Sequence, residues 1–487
     1  MARDECDHQV LDHPRHLRCN RTRRFHRRLH ASGRLTLRAL VFGLGIAGNA
    51  VARALSSRGV EPLLVDDKPN PSHDALATEL GVGLSIAPDL GTLSRLVKDV
   101  DFVMPAPGIP EAHPLFAVAH DAGREMLSEI ELAYRWEQQR AGGPRPMLGV
   151  TGTDGKTTTT LLATAMIQES GHRAAAVGNT ETPLIAALDD DVEVFVVECS
   201  SFRLALTRDF RVEAGVWLNL APDHLDWHRD LPSYRSAKAR IWSSARPGDV
   251  AVAPSADPSI VAAARATRAR TVTFGLGADE HYTCVDGRLS AKGSDLIAAT
   301  SMPRALPHDV TNSLAAAAIV LESGAGSLAG VSAALATFRP SHHRIEFVAE
   351  AGGVAWYDDS KATSPHAVAT ALRAFSSIVL IAGGRNKGLD LSGIASAGTS
   401  VKAVIGIGES GSEVVGHFDG RCPSALASSM DEAVVRAASF ATAGDVVLLS
   451  PGCTSFDWYR NYEERGCDFA RAVRERLGLT DRDGGDQ

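Results

Sequence analysis

The stretch MLGVTGTDGKTTTTLL, residues 147–162, decides the fold of the centre of this chain. Its apolar start, Met147 to Val150, predicts a buried strand, and the glycines that follow predict a tight loop before a helix from Leu161 to about Glu169. Backbone N–H groups in such a loop, together with the positive end of the helix dipole, favour a bound phosphate. Lys156 is then expected to reach the outer phosphates of a nucleotide, with the neighbouring threonine hydroxyl on Mg²⁺.

The strict phosphate-loop pattern requires glycine at position 150, where this chain has valine. The alternative interpretation is a glycine-rich turn followed by Lys-Thr by chance. The order of strand, loop and helix favours the phosphate site, because all three parts stand where that site needs them.

Length and composition indicate an ordinary globular protein. The chain has 487 residues, enough for about three domains, and it is 44% hydrophobic and 22% charged. Its seven cysteines show no CxxC spacing, which favours a reducing cytoplasm over a disulfide framework or a zinc site. No apolar run approaches the roughly 18 residues of a transmembrane helix, so membrane insertion is not expected.

Charge is unevenly distributed along the chain. Residues 1–38 carry ten arginines against four acidic side chains, whereas the whole chain has a net charge of −8, so the remainder is strongly acidic. An acidic body argues against nucleic acid as the main partner. Residues 1–36 have few apolar side chains and no periodicity, and we predict a disordered basic tail there.

A second glycine motif lies near the start of the chain. The strand Leu40–Phe42 leads into GLGIAG, residues 43–48, and the next predicted strand ends at Asp66. This pattern is the dinucleotide fingerprint, and taken alone it indicates an NAD-dependent dehydrogenase. The same geometry suits any nucleotide diphosphate, so both interpretations stay open at this point.

Polar side chains follow two further strands of the central region. Glu198 ends the predicted strand 192–197 and is the expected second Mg²⁺ ligand, although a solvated strand-end glutamate is the alternative. His224 follows the strand predicted from residue 216 to residue 220. Lys238 falls in a predicted helix, 234–242, and from the residues alone is interpreted as a surface lysine.

The last third of the chain alternates strands and helices. Three polar loops follow predicted strands there: DDSKATSP (358–365), GGRNKG (383–388) and SPGCTSFD (450–457). The alternation predicts a second doubly wound sheet, with these loops gathered at one edge.

Several of these motifs, taken in order, resemble those of the Mur ligases. They are TGTDGKTT (151–158), ECSSF (198–202), Asp223-His224, HDVTN (308–312), HRIE (343–346) and DDSKAT (358–363). The resemblance covers all of the chain except the tail. It implies an α/β fold of three domains: an N-terminal Rossmann-like UDP-binding domain over 37–143, a central P-loop ATPase-like domain over 144–338, and a C-terminal Rossmann-like amino-acid-binding domain over 339–487.

The resemblance also implies an activity. Mur ligases join an amino acid to a UDP-linked peptidoglycan precursor in the cytoplasm, converting ATP to ADP and phosphate through an acyl phosphate, and the first glycine motif then binds UDP. The C-terminal motifs are most similar to the members that add D-glutamate to UDP-N-acetylmuramoyl-L-alanine, and we expect a monomer. A sister ligase for another amino acid, a folylpolyglutamate synthetase, an NAD-dependent dehydrogenase and a non-catalytic nucleotide switch are the alternatives.

Site residues are implied by the same resemblance. The catalytic residues are Lys156, Glu198, His224 and Lys238. The Mg²⁺ ligands are Thr157, Glu198, His224 and Lys238, the last after carbamylation by CO₂. The ATP site comprises Gly152, Thr153, Asp154, Gly155, Lys156, Thr157, Thr158, Asn312, Arg344 and Asp359. The UDP-sugar site comprises Gly45, Asp66, Asp67, Lys68, Ala106, Pro107, Gly108 and Asn179. The D-glutamate site comprises Thr363, Lys387, Ser455, Phe456 and Tyr462.

Four positions depart from the family's usual residues. Asp154 and Asp309 stand where asparagine is usual, Ala106 stands where serine is common, and Tyr462 replaces phenylalanine. The departures fall at expected sugar, adenine and amino-acid contacts, and they leave the lysine and threonine of the phosphate loop unchanged.

Overall fold

A computed structural model describes residues 36–479. The predicted basic tail, 1–36, therefore lies outside the described residues except for Thr36. The described chain divides into two compact units, residues 36–109 with 113–127, and residues 110–112 with 128–479. The three-domain boundaries of the sequence analysis stay a prediction.

The first unit is built on a five-stranded parallel sheet of order β3-β2-β1-β4-β5. Its strands are β1 (Arg38–Phe42), β2 (Glu61–Asp66), β3 (Leu84–Ile86), β4 (Phe102–Pro105) and β5 (Glu125–Met126). Its helices are α1 (Ile46–Ser57), α2 (Pro71–Leu80), α3 (Leu90–Lys98) and α4 (Pro114–Asp121). The strand order reverses between β1 and β4, and ligands of such sheets bind beyond the carboxyl ends of the strands at that point.

The second unit contains a nine-stranded sheet of order β14-β13-β12-β11-β10-β9-β6-β8-β7. Its strands are β6 (Met147–Thr151), β7 (Ala174–Gly178), β8 (Val194–Glu198), β9 (Ala214–Trp217), β10 (Val250–Pro254), β11 (Arg270–Gly275), β12 (Tyr282–Val285), β13 (Arg288–Ala291) and β14 (Ser294–Ala298). Only β12-β13 and β13-β14 pair antiparallel in it. The register sets Val150 of β6 beside Glu198 of β8 and Val216 of β9, so the loops after these strands begin at one level.

Helices cover this sheet and close its core. They are α5 (Glu129–Glu137), α6 (Lys156–Glu169), α7 (Ser201–Ala205), α8 (Leu231–Ala239), α9 (Pro258–Arg265), α10 (Pro307–Ser323) and α11 (Leu328–Thr337), with short 3₁₀ turns at Ala186–Asp189, Arg240–Trp242 and Ala299–Ser301. The alanine-rich α10 is buried along most of its length, because small side chains let it lie close to the strands and to α6.

The second unit also contains a six-stranded sheet of order β15-β16-β20-β17-β18-β19, in which only β15-β16 is antiparallel. Its strands are β15 (Glu346–Ala351), β16 (Val354–Asp358), β17 (Ile378–Gly383), β18 (Val401–Ile407), β19 (Ser424–Leu426) and β20 (Val446–Gly452). Its helices are α12 (Pro365–Leu372), α13 (Ser392–Ala397), α14 (Gly411–His417), α15 (Met430–Phe440) and α16 (Tyr462–Leu477). Apolar clusters fill both faces, as a buried parallel sheet requires.

Two helix boundaries differ from the sequence prediction. Helix α6 begins at Lys156 rather than Leu161, because three threonines of its first turns, Thr158 to Thr160, are buried in the core although threonine is a poor helix former. The helix predicted over 234–242 instead begins at Leu231, because Asp230 caps it and proline is favoured in a first turn, and it ends at Ala239 before a 3₁₀ turn.

Among residues 36–479, no helix combines the length and the apolar character needed to cross a bilayer.

Candidate active site

The loop between β6 and α6 is closed by its own lysine. Gly155 takes the left-handed conformation, with φ of 80°, and α6 starts at the next residue. The Lys156 ammonium donates to the carbonyl oxygens of Gly152 at 3.1 Å and Thr153 at 2.7 Å. The predicted strand, loop and helix are therefore present, and the lysine lies over the loop.

Asn219, which follows β9, fixes the same loop from outside. Its side-chain oxygen accepts the backbone N–H groups of Thr153 and Asp154, both at 2.9 Å, and its amide nitrogen donates to the Asp154 carbonyl at 3.2 Å. No role was predicted for Asn219 from the sequence. The available signal was its place just beyond a strand that neighbours β6.

Lys238 is not a surface residue, and that interpretation was wrong. Its side chain is 1% exposed, and its ammonium donates to the Gly152 carbonyl at 2.6 Å and lies 4.5 Å from the centre of the Tyr234 ring. Burial lowers the pKa of Lys238 well below its usual value, and the charge of Lys156 lowers that pKa further. The neutral amine, which is the nucleophilic form, is thus favoured.

Glu198 ends β8 with a carboxylate that is only half satisfied. The residue is 1% exposed, and its Oε1 accepts a hydrogen bond from the Asn179 amide at 3.0 Å. Its Oε2 is buried and has no hydrogen-bond partner in the described chain. An orphaned buried carboxylate oxygen is costly, and a bound cation would satisfy it. This donor fits Mg²⁺, which prefers oxygen ligands.

His224 is held in a strained backbone conformation, with φ of 54°. Its Nε2 lies 3.3 Å from the Asp223 carboxylate. Burial lowers the pKa of His224, and the charges of Lys156 and Lys238 lower it further against the opposing effect of Asp223. The neutral imidazole, the form that binds metals, is therefore favoured.

Arg203 connects Asn179 to a buried acid. It donates to the Asn179 side-chain oxygen and, at 3.4 Å, to Glu129 of α5. Burial raises the pKa of Glu129 although Arg203 opposes that shift. Asn179 is consequently oriented on one side by Arg203 and delivers its amide to Glu198 on the other.

Asn312, Arg344 and Asp359 are predicted to contact the nucleotide from outside the loop between β6 and α6. Asn312 lies against it, because a Cβ on Gly155 would come within 2.5 Å of the Asn312 side-chain oxygen. Asp359 is buried and accepts from the Ser450 hydroxyl at 2.7 Å, and burial raises its pKa to about 7. The side chain of Arg344 has a buried Nε without a partner among the described residues.

Asp309 is one of the four positions that depart from the family's usual residues, and its carboxylate already has hydrogen-bond partners within the chain. Its carboxylate receives two hydrogen bonds from Arg304, both at 2.7 Å, and accepts the Leu306 backbone N–H at 3.1 Å. The structure therefore gives Asp309 a part in starting α10.

The predicted amino-acid residues lie on loops after neighbouring strands. Thr363 follows β16, Lys387 follows β17 and Ser455 follows β20, and these three strands are adjacent and parallel. Ser455 is buried, whereas Phe456 is 59% exposed. Tyr462 begins α16, and its backbone carbonyl accepts from the Ser360 hydroxyl at 2.8 Å.

Arg465 ties two of these loops together. It is buried, and it donates to the Ser360 carbonyl at 2.7 Å and to the Cys453 carbonyl at 3.2 Å. Burial lowers the pKa of Arg465 to about 10. Its guanidinium spans the two backbones and so sets their separation.

Lys361 is a second cation at this edge of the sheet, and the sequence analysis gave it no role. Its ammonium lies 4.8 Å from the centre of the Tyr462 ring. Burial lowers the pKa of Lys361, as does the charge of Arg344, while Glu198 raises it. Its place inside the DDSKAT motif was the signal that could have identified it.

The first unit collects its predicted residues at the carboxyl ends of β1, β2 and β4. The Asp66 carboxylate accepts the backbone N–H groups of Leu44 at 2.7 Å and Lys68 at 3.0 Å, and Asp67 lies 3.3 Å from His113. Other predicted residues there are Gly45, which caps α1, and Ala106, Pro107 and Gly108, which follow β4. Asn179 belongs to the other unit.

A cluster of possible metal ligands elsewhere is satisfied internally. His343, Glu346 and Asp358 lie together, but His343 Nδ1 is 2.6 Å from the Asp358 carboxylate and the His343 backbone N–H donates to Glu346 at 2.8 Å. The cluster acts as a structural link between β15 and β16.

Comparison with known proteins gives three family matches. Residues 37–128 match the Mur ligase MurD-like N-terminal domain, residues 150–320 the Mur ligase middle domain, and residues 343–453 the Mur ligase glutamate ligase domain.

Similar sequences share one name. UDP-N-acetylmuramoylalanine–D-glutamate ligase of Frankia casuarinae is 41% identical over 91% of this chain and 95% of the relative. The proteins of that name from Thermobifida fusca and Streptomyces coelicolor are 36% and 34% identical, over 91% and 89% of this chain and 99% and 97% of theirs.

Solved structures of other proteins have a fold similar to that of this chain. A pseudomurein peptide ligase type C from Methanothermus fervidus has a TM-score of 0.56 at 18% identity and covers 91% of this chain and 100% of its own. A MurF ligase from Thermotoga maritima in complex with ADP has a TM-score of 0.56 at 15% identity, covering 91% and 97%. The mixed α/β fold is therefore confirmed.

Proposed function

The chain belongs to the Mur ligase family, and from that premise we propose that it joins D-glutamate to UDP-N-acetylmuramoyl-L-alanine at the expense of ATP, in peptidoglycan precursor synthesis. The chain is a ligase. The observation that carries the proposed chemistry is the arrangement of two lysines on one carbonyl: Lys156 and Lys238 both donate to Gly152 O at the carboxyl edge of β6.

The reaction needs an activated carboxyl group, because a carboxylate is a poor electrophile. The alanyl carboxylate of the UDP-sugar attacks the γ-phosphorus of ATP, ADP leaves, and an acyl phosphate forms. The deprotonated amine of D-glutamate then attacks the acyl carbon, and inorganic phosphate leaves as the amide bond forms. Phosphoryl transfer of this kind depends on alignment and charge neutralisation.

Lys156 is proposed to neutralise the phosphates. It now donates to two carbonyls of its own loop, and an arriving phosphate offers it a charged acceptor in exchange. Gly152 to Thr158 supply the loop and the first turn of α6, while Asn312, Arg344 and Asp359 are proposed for the base, the phosphates and the ribose.

Mg²⁺ fits the donors of the central sheet. Thr157 and Glu198 are proposed to hold one ion, with His224 and carbamylated Lys238 at a second. The orphaned Glu198 oxygen and the neutral imidazole support this set. When bound, Mg²⁺ would neutralise charge on the transferred phosphoryl group.

Carbamylation of Lys238 suits its surroundings. The neutral amine attacks CO₂, a C–N bond forms, and one proton is released to give a carbamate. The lowered pKa of Lys238 supports this step, since an ammonium cannot attack. The product has oxygens instead of a cation and can bind a metal.

Separate sets of residues are proposed for the two substrates. Gly45, Asp66, Asp67, Lys68, Ala106, Pro107, Gly108 and Asn179 are proposed for UDP-N-acetylmuramoyl-L-alanine, and Thr363, Lys387, Ser455, Phe456 and Tyr462 for D-glutamate. A lysine with hydroxyl and backbone N–H donors suits the carboxylates of an amino acid. We further propose Rossmann-like character for the first and last sheets, a P-loop ATPase-like central sheet, and action in the cytoplasm as a monomer.

An NAD-dependent dehydrogenase is less well supported. Its fingerprint, residues 43–48 with Asp66, involves the first unit alone. That function also gives no task to Lys156 or Glu198.

An amino-acid screen tests the proposal. Purified protein with UDP-N-acetylmuramoyl-L-alanine, MgATP and one amino acid at a time should release phosphate with D-glutamate and form the UDP-linked dipeptide by mass spectrometry. Release supported by L-alanine, L-lysine or diaminopimelate, and not by D-glutamate, would reassign the specificity. No release with any amino acid would favour a nucleotide switch.

A further inference from the structure

The phosphate loop carries a negatively charged side chain, Asp154, two residues before Lys156. A carboxylate in this position is unfavourable for nucleotide binding, because it repels phosphate oxygens at short range. The pKa of Asp154 is lowered: burial opposes ionisation, but His366, Lys156 and Arg344 outweigh it. The loop therefore holds an ionised acid that needs compensation when ATP arrives.

A histidine from another part of the second unit provides this charge compensation. His366 is the second residue of α12, and its Nδ1 contacts Asp154 Oδ2 directly, 212 positions away in the chain. Both side chains are 26% exposed, so the pair is only partly open to solvent. Helix α12 follows the DDSKATSP loop and lies beside β20 in the sheet that carries the proposed D-glutamate residues.

The backbone around Asp154 leaves the carboxylate little freedom. Its N–H and its carbonyl are both taken by Asn219, so the loop cannot turn the side chain away without losing those bonds. Lys156 and Arg344 also lower the pKa of Asp154, but neither has a hydrogen bond to its carboxylate among the described contacts, and the Lys156 ammonium is directed at the carbonyls of Gly152 and Thr153. His366 is thus the residue that contacts the acid and can offset its charge.

We propose that His366 is a charge-compensating and positioning residue for ATP: by holding the Asp154 carboxylate it removes the repulsion that this acid exerts on the nucleotide phosphates, and it fastens the start of α12 to the phosphate loop. This deepens the proposed function and rests on it for the identity of the nucleotide. It predicts that the need for His366 disappears when residue 154 carries no charge.

A double-mutant cycle tests the coupling. In the parent background, His366→Ala should raise the KM for ATP and the Kd for ATP measured by calorimetry on the order of tenfold, with a smaller change in kcat. In an Asp154→Asn background the same His366→Ala change should alter both constants less than twofold. Equal losses in the two backgrounds would overturn the proposal, since packing defects do not depend on the charge at residue 154.

Two further variants separate charge from other effects. His366→Gln keeps a hydrogen-bond donor without a charge and should weaken ATP binding as His366→Ala does; a parent-like Kd would overturn charge compensation. His120→Ala is the matched control, because His120 is 86% exposed and lies 3.4 Å from Asp121 in the other unit, and it should change neither constant. Nucleotide binding is measured without amino acid, so absent ligation in the parent would refute the proposed function alone, whereas a parent that binds no ATP would refute both.

Discussion

At the scale of single residues, the Gly152 carbonyl oxygen brings two lysines together. Lys156 belongs to the phosphate loop and Lys238 to α8, and each donates to this atom. Two ammonium groups so close are mutually unfavourable, which is one reason that the pKa of Lys238 falls. Conversion of Lys238 to a carbamate would replace that repulsion with attraction.

Replacing Lys238 by alanine is expected to reduce ligation at least about a hundredfold, because the proposed metal loses an oxygen ligand. Short carboxylates such as acetate should restore part of the activity by entering the space of the carbamate. Steady-state phosphate release measures both effects. Lys98→Ala, at an exposed position of α3, is the control. Absence of rescue, with a parent indifferent to CO₂ removal, would count against carbamylation.

His343 makes stability depend on pH. Its hydrogen bond to Asp358 raises the pKa of His343 although burial opposes the shift. A folded-state pKa above the unfolded value means that the stabilisation is complete below the unfolded pKa of about 6.5 and is lost as pH rises through the folded value.

His343→Gln should therefore lower the midpoint of thermal unfolding by about 2–4 °C at pH 5.5 and by less at pH 9. Calorimetry of the parent and the variant at both pH values measures the difference. His342→Gln is the matched control, because His342 is 86% exposed beside Glu346. An equal decrease at both pH values would contradict the assignment.

At the scale of elements, α6 shows where prediction from sequence succeeds and where it stops. The strand, loop and helix of residues 147–169 were predictable because apolar periodicity and glycines act locally. The start of α6 at Lys156 was not, since the burial of its threonines depends on α10 and α11, which are distant in the chain. The burial of Lys238 was hidden for the same reason: a lysine on a helix is normally exposed, and only the packing of α8 on the loop overrides that rule.

Gly155 is the position of the loop that tolerates a side chain least. A Cβ there would approach the Asn312 oxygen to 2.5 Å, and φ is 80°. Gly155→Ala should cost about 1 kcal/mol of stability through its backbone and, by displacing Asn312, should raise the Kd for ATP about tenfold or more. Gly171→Ala is the matched control: φ is 88° with open space around it, so it should lose similar stability and keep its nucleotide affinity. Similar affinity losses in both variants would refute the proposed role of Asn312.

At the scale of the whole molecule, transfer of an isotope label can follow the proposed route through an acyl phosphate. With ¹⁸O in the alanyl carboxylate of the UDP-sugar, one labelled oxygen should pass to inorganic phosphate in each turnover, because the bond that breaks joins the acyl carbon to that oxygen. Mass spectrometry of the released phosphate measures the transfer. Hydrolysis of ATP without D-glutamate is the control, and unlabelled phosphate during ligation would exclude this route.

Much of the architecture could be predicted from the sequence, because the loops at strand ends, such as DDSKAT, contain their functional residues in short motifs. The side chains that hold those loops in place were not. Asn219, Arg203 and Arg465 act through contacts with residues 12 to 105 positions away, and no local pattern encodes such contacts.

The Asn219 clamp has a consequence for the durability of the protein. Its amide nitrogen is the donor to the Asp154 carbonyl, so hydrolysis of this amide to a carboxylic acid removes the donor and adds a negative charge beside the loop. Spontaneous deamidation at this one position is thus expected to weaken nucleotide binding as the protein ages, while its sheets remain folded.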